Sequence, residues 1–363
     1  MQLFIELLGF EKTKAFGFQE FVLNLLDYLH DYRDKLLCER IIIWCKDTEV
    51  DVFHKYTDKF EIKGYSYNSY IKRFILQSFL PFREKVRRDD ILFTPGNFSG
   101  IFKRCISLVV IHDLLFKRKK WMTNRLIRWQ RELFFPISIR NADRIIAISQ
   151  FTKNDIEHYY PSARGKVSFV YNSFNFNKYD EPYLMNLGYK YFLSVSMSAD
   201  YKNQITILKA YKRYHDIGGT LKMVFIGKLN PLSQAGLYYK TIPEDVRKDI
   251  FFMSHISNKE LGAIYREASC FISASLFEGL GMPIVEAMSF GLPVILSDTQ
   301  IHREVSMGEG TYFDPLNYEQ LAMLMSKKDL SKKDYDLEIR NHYSEGNTAA
   351  KYVTLINELV TNL

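Results

Sequence analysis

Cysteine is scarce. The 363 residues hold four, Cys38, Cys45, Cys105 and Cys270, with no Cys-x-x-Cys pair and no histidine at ligand spacing. That excludes a disulfide framework, leaves no basis for a structural zinc, and fits reduced core thiols in a cytoplasmic protein. No run of 18 apolar residues occurs, so no transmembrane helix is expected. The opening stretch Met1-Gln2-Leu3-Phe4-Ile5-Glu6 lacks a basic segment and reads as a first strand, not a signal peptide. Fixed-period repeats and low-complexity tracts are also missing, which excludes a solenoid and argues against long disorder.

What remains is a chain that is 47% apolar and long enough for two buried cores. Its net charge of +7 is unevenly spread. Residues 1–180 carry 30 Lys/Arg against 21 Asp/Glu, whereas the rest carries 19 against 21. A basic first half can meet anionic lipid headgroups, a lipid-linked phosphate or a nucleic acid. The densest run is Lys117-Arg118-Lys119-Lys120-Trp121, continued by Arg125, Arg128, Trp129 and Arg131. A mixture of cations and interfacial aromatics suits a membrane surface, and Lys72-Arg73-Phe74-Ile75-Leu76 offers a second such patch.

Strand-like apolar runs alternate with helical periodicity in both halves. Ile41 to Trp44, Asp90 to Phe93 and Leu108 to Ile111 read as strands, and Phe18 to His30 as an amphipathic helix. The pattern restarts at Tyr191-Phe192-Leu193-Ser194-Val195 after an Asn- and Tyr-rich linker over 173–187. Ser257 and Glu260 form a capping box for a helix through Glu267. Alternating βα units predict an α/β protein of two doubly wound sheets.

One phrase carries the chemistry: Phe277-Glu278-Gly279-Leu280-Gly281-Met282-Pro283-Ile284-Val285-Glu286. It lies between the strand-like Cys270 to Ala274 and Pro293 to Ser297, the order of a βαβ unit. Its glycine loop therefore sits outside the carboxyl ends of strands, where ligands bind in such sheets. With Pro283 at the first helical position, the amides of about Leu280 to Met282 are placed to hold a phosphate, and Gly279 and Gly281 belong to the same donor-binding loop. Glu278 and Glu286 would repel that phosphate and suit instead the hydroxyls of a sugar and a ribose. The residues thus predict a nucleotide-sugar site.

At these residues the chain resembles the retaining glycosyltransferases of family 4. Other phrases agree in order: Ala15-Phe16-Gly17-Phe18, Val110-Ile111-His112-Asp113-Leu114, Ile146-Ala147-Ile148-Ser149, Val170-Tyr171-Asn172-Ser173, Tyr201-Lys202-Asn203 and Tyr312-Phe313-Asp314-Pro315. The resemblance spans nearly the whole chain. It implies the GT-B fold, two Rossmann-like domains facing across a cleft. The expected division is 1–178 with a returning helix over 346–363 for the acceptor, and 179–345 for the donor. It implies that Glu278 holds the transferred sugar, Glu286 the ribose, Lys202 the leaving diphosphate, Gly17 the donor backbone and His112 the sugar face. Asn97 and Asp113 are expected on the acceptor side. Relatives carry Gly and then Arg or Ser before the Lys202 loop, where this chain has Val195 and Ser196.

The resemblance further implies a hexosyl or deoxyhexosyl transfer, with mannosyl mildly favoured, to a glycan or lipid-linked oligosaccharide in surface polysaccharide synthesis such as O-antigen. No cofactor, metal or nucleic acid is expected, and the location expected is cytoplasmic, peripheral at the inner membrane face. Two other readings stay open. A GT-B-like nucleotide-sugar epimerase would share the phosphate site but act without an acceptor. A non-catalytic nucleic-acid binder would explain the basic half but not the Glu pair.

Overall fold

The computed structural model describes residues 1–13, 16–118, 124–179, 183, 185–327 and 330–361, without the side chains of Phe16, Asp336 and Leu337. Ala15 of the glycine loop, Lys119, Lys120 and Trp121 of the basic run, and Asn362 and Leu363 of the closing helix lie outside the described residues. The chain divides into two compact units, Met1–Ser173 with Ser344–Leu363, and Phe174–Tyr343. The crossing falls five residues before the expected 178. Local bonds place it there: the Ser173 hydroxyl pairs with the Tyr28 hydroxyl of the first unit, whereas Phe174 donates its amide to Tyr343 O of the second at 3.0 Å.

The first unit is a seven-stranded parallel sheet in the order β3-β2-β1-β4-β5-β6-β7. Its strands are β1 (Gln2–Leu7), β2 (Arg40–Lys46), β3 (Glu61–Tyr65), β4 (Ile91–Thr94), β5 (Ile106–Ile111), β6 (Arg144–Ala147) and β7 (Val167–Phe169). Helices cover both faces, so the central strands are apolar throughout rather than alternating. All four residues of β4 are buried, and Leu3, Ile5, Ile43 and Val110 are fully so. Helix α1 (Phe16–Asp31) buries Val22, Leu25, Leu26 and Leu29 at the 3, 4 spacing of one face. Helices α2 (Tyr70–Arg83) and α3 (Arg125–Asn141) are capped by the side chains of Ser69 and Asn124.

The second unit is a six-stranded parallel sheet, β10-β9-β8-β11-β12-β13. Its strands are β8 (Tyr191–Val195), β9 (Lys222–Ile226), β10 (Ile250–Met253), β11 (Cys270–Ser273), β12 (Val294–Ser297) and β13 (Thr311–Phe313). Among its helices are α4 (Gln204–Asp216), α5 (Asn258–Glu267), α6 (Met282–Ser289) and α7 (Gln300–Val305). The capping box forms as read, with Ser257 and Glu260 bonding reciprocally at the start of α5. Gly227, just past β9, has φ +130, and a Cβ there would stand 2.2 Å from Ser196 O. Gly227→Ala is therefore expected to destabilise the second unit by about 1–3 kcal/mol, read as a lower thermal midpoint.

The closing helix α8 (Glu345–Thr361) belongs to the first unit and starts one residue earlier than 346. It buries Ala349, Tyr352 and Ile356; Asn357 clamps Leu37 N and Lys35 O, and Thr348 donates to Tyr171 O. In each sheet the winding reverses once, between β1 and β4 and between β8 and β11. Loops at the carboxyl ends of those four strands form the natural ligand crevices.

Candidate functional site

In the second unit, Lys202 follows β8 and Glu278 follows β11, so the two flank the switch point. The loops are tied by Leu276 N donating to Tyr201 O at 2.8 Å. Lys202 Nζ reaches both Glu278 oxygens, at 2.6 and 2.7 Å. Each side chain is only 14% exposed. Burial pushes the Glu278 carboxyl up, but the Lys202 ammonium and its hydrogen bonds overcome this and hold it below the ordinary carboxylate value. Lys202 is aimed by its neighbour: Asn203 adopts φ 54 and is pinned to Pro315 O at 2.8 Å. Two phrases read separately in the sequence are thereby joined across 112 residues.

Helix α6 begins at Met282 behind Gly281, whose φ of +97 only glycine adopts freely. Pro283 therefore stands second in the helix, not first. Among the described residues, the amides of Leu280, Gly281 and Met282 have no hydrogen-bond acceptor. Glu286 lies one turn into α6, 7% exposed, and Tyr265 donates its hydroxyl to Oε2 at 2.7 Å. Tyr265 is fully buried on α5 and stacks on Phe290. The arrangement gathers three amides without acceptors, an ammonium and two carboxylates on the β11–α6 connection and the loop after β8.

His302, on α7, went unread in the sequence. It is fully buried, and its Nδ1 lies 2.9 Å from Ser297 Oγ and 3.0 Å from Ser297 O. Ser297 gives its own hydrogen to Ser275 O, so Nδ1 must be the protonated nitrogen. Nε2 is then a bare lone pair, buried with no partner among the described residues. Burial drives the ring's pKa down from 6.5 to about 4, with Glu278 opposing and Lys202 adding to the fall. An unfolded chain takes up a proton near pH 6.5 that the folded ring refuses. The stability this gives is full above 6.5 and is lost as pH falls toward 4, at most roughly 3 kcal/mol. A melting series over that window should show a steep loss in the wild type and a shallower one in His302→Gln.

In the first unit, His112 follows β5 and its Nε2 lies 2.8 Å from Pro95 O, which fixes the hydrogen on Nε2 and leaves Nδ1 bare. Its pKa is lowered, by burial above all. Asn97 follows β4 at φ 51 and accepts from His112 N at 2.9 Å. Asp113 accepts from Leu115 N at 2.9 Å and faces Arg131 at 3.5 Å. Gly17 lies in α1, and among the described residues nothing stands within 4 Å of a Cβ placed there. In the basic run, Arg118 is clamped on Asp155 through Nε at 2.8 Å to both oxygens, so that cation is internally neutralised. The expectation that no metal is needed takes the sequence to lack an Asp-x-Asp triplet, but it holds one, Asp334-Tyr335-Asp336, whose buried Tyr335 donates to Leu292 O.

Two family models match the chain: "Glycosyltransferase Family 4" over residues 32–178 and "Glycosyl transferases group 1" over residues 175–344. The O-antigen chain mannosyltransferase RfbU of Salmonella typhimurium is 24% identical over 56% of this chain and 58% of its own length. The serotype-specific mannosyltransferase WbdA of Escherichia coli is 22% identical over 62% of this chain and 31% of its own. The chain thus spans only part of each relative's length. Among solved structures, Anabaena HepE in complex with UDP and glucose superposes with a TM-score of 0.70 at 13% identity, covering 99% of this chain and 100% of that one.

Proposed function

The chain belongs to the family 4 and group 1 glycosyltransferases of GT-B fold, and from that premise we propose that it transfers a hexosyl group, mannosyl in first preference, with retention. The donor is a nucleoside-diphosphate sugar and the acceptor a glycan, lipid-linked, in O-antigen-type polysaccharide synthesis. The observation that carries this reading is the Lys202–Glu278 pair beside the unfilled amides of Leu280 to Met282, with Glu286 one turn further on. The mannosyltransferase relatives favour mannose, and the neighbour holding UDP and glucose keeps the base and sugar open.

In the proposed reaction the diphosphate draws Lys202 off Glu278. Glu278 is then left to accept hydroxyl hydrogens of the sugar. The sugar's C1–O bond breaks with its electron pair going to the phosphate oxygen. The acceptor hydroxyl oxygen bonds to C1 from the same face, and its proton passes to that phosphate oxygen. Lys202 and the amides stabilise the charge that develops there. His112 Nδ1, the remaining acceptor on that ring, is assigned to a sugar hydroxyl. Since an ammonium supplies the positive charge, transfer should survive EDTA.

A thermal-shift panel of UDP, GDP, dTDP and their sugars tests the donor site. One nucleotide raising the midpoint fixes the base; a flat panel sinks the transferase reading. NMR of the product's anomeric carbon tests retention, and incubation with donor alone separates a transferase from an epimerase, which would convert the sugar unaided.

A peripheral membrane site is part of the proposal. Helix α2 exposes Ile71 (70%), Ile75 and Phe79 at a spacing of four residues, and α3 exposes Leu126, Ile127 and Trp129 (63%). The helices meet through Phe74 and Phe134, with ring centroids 3.9 Å apart, and cations such as Lys72 and Arg125 flank the apolar positions. No helix among the described residues is long and apolar enough to cross a membrane. Co-sedimentation with anionic but not zwitterionic vesicles is expected, and should weaken in Ile75→Ser/Phe79→Ser.

A further inference from the structure

The first unit has its own switch point, between β1 and β4, and a buried polar cluster occupies it. Glu6, near the end of β1, is 6% exposed. Its Oε1 accepts from Leu8 N at 2.9 Å and its Oε2 from Gln77 Nε2 at 2.6 Å. Gln77 Nε2 also donates to Phe98 O at 3.0 Å, in the loop that carries Asn97 and, through it, His112. Glu6, Gln77, Asn97 and His112 therefore belong to one bonded network at the carboxyl ends of β1, β4 and β5. One turn before Gln77 on the same face of α2 stands Arg73, whose NH1 would be 3.1 Å from a Cβ on Gly9. Its Nε is buried with no acceptor among the described residues, and no ion pair there includes it. A buried guanidinium donor without an acceptor is costly unless a ligand completes it.

Charge tells what that ligand is. Burial pushes the Glu6 carboxyl up to about 7, and Arg73 pulls it back only in part. A phosphate would satisfy Arg73 but gain little from Glu6, whose oxygens act as acceptors and whose ionised form repels it. A hydroxyl serves both, giving its hydrogen to the carboxylate and taking one from the guanidinium. We infer that Glu6, held by Gln77, and Arg73 form a sugar-hydroxyl subsite for the acceptor glycan in the first unit. The outer face of the same helix bears Ile71, Ile75 and Phe79, so an acceptor with a glycan head and an apolar tail matches both faces of α2. This rests on the transferase reading for its role, though the subsite is separable from the donor site.

The test uses the full chain and saturation-transfer NMR with octyl α-mannoside and octyl β-glucoside, next to their methyl counterparts. Wild type should bind at least one octyl glycoside. Glu6→Gln and Arg73→Ala should each weaken it about tenfold while the nucleotide thermal shift stays unchanged. Arg73→Lys, which keeps charge and length, guards against a folding artefact and should fall between. No glycoside binding by wild type, or equal binding by folded variants, overturns the subsite. Loss of the nucleotide response in wild type overturns instead the transferase reading.

Discussion

Lys202→Ala is expected to lower kcat/KM for transfer by about 10²–10³-fold, the usual cost of removing one donor aimed at developing charge. The same change has a second consequence. Glu278 is 14% exposed and takes two hydrogen bonds from that ammonium. Stripped of it, the carboxylate is a nearly buried, uncompensated charge, and breaking such a pair from one side costs about 3–5 kcal/mol. Activity and stability should therefore fall together in the single variant, and they can be pulled apart. Lys202→Ala/Glu278→Gln removes the stranded charge, so its melting midpoint should recover while transfer stays down by about 10²-fold or more. If the double variant recovered transfer as well, Lys202 would be a structural counter-ion and nothing more.

The second large effect is expected at Glu286. Removing Glu286, the proposed acceptor of two ribose hydroxyls, should weaken nucleoside diphosphate binding about 10²–10⁴-fold, since hydrogen bonds to charged groups contribute about 1.5–3 kcal/mol each. The loss should be equal for the free nucleotide and its sugar conjugate, because the ribose is common to both. A 2′,3′-dideoxy nucleotide supplies the decisive control: it should bind wild type and Glu286→Ala alike. Tyr265→Phe should weaken the same ligands by a smaller factor, as the carboxylate loses the hydroxyl that orients it at 2.7 Å. Isothermal titration of the four combinations distinguishes ribose binding from a packing defect, which would also penalise the dideoxy ligand.

The parallel sheets were legible because burial on both faces leaves unbroken apolar runs such as Ile41 to Trp44, and the glycine loop because its two glutamates lie within one βα turn. Other features depend on partners far along the chain. Glu6 reads locally as one polar residue in an apolar strand; its meaning comes from Gln77, 71 residues away. His302 likewise acquires its bare nitrogen from the bonds of Ser297 and Ser275. Arg118 reads as part of an exposed basic run, yet Asp155, 37 residues on, neutralises it. Spacing reveals residues that act along one turn and conceals those that meet only after the sheet is wound.

The bond between Phe174 N and Tyr343 O has a bearing on heredity as much as on structure. The segment 174–343 starts and finishes at touching points, so it is a cassette: one uninterrupted stretch of coding sequence encloses the whole second sheet. A single exchange at those two points can carry a whole new second sheet into an old first unit. The first unit has no such freedom, since its sheet and its closing helix are translated on either side of the insert.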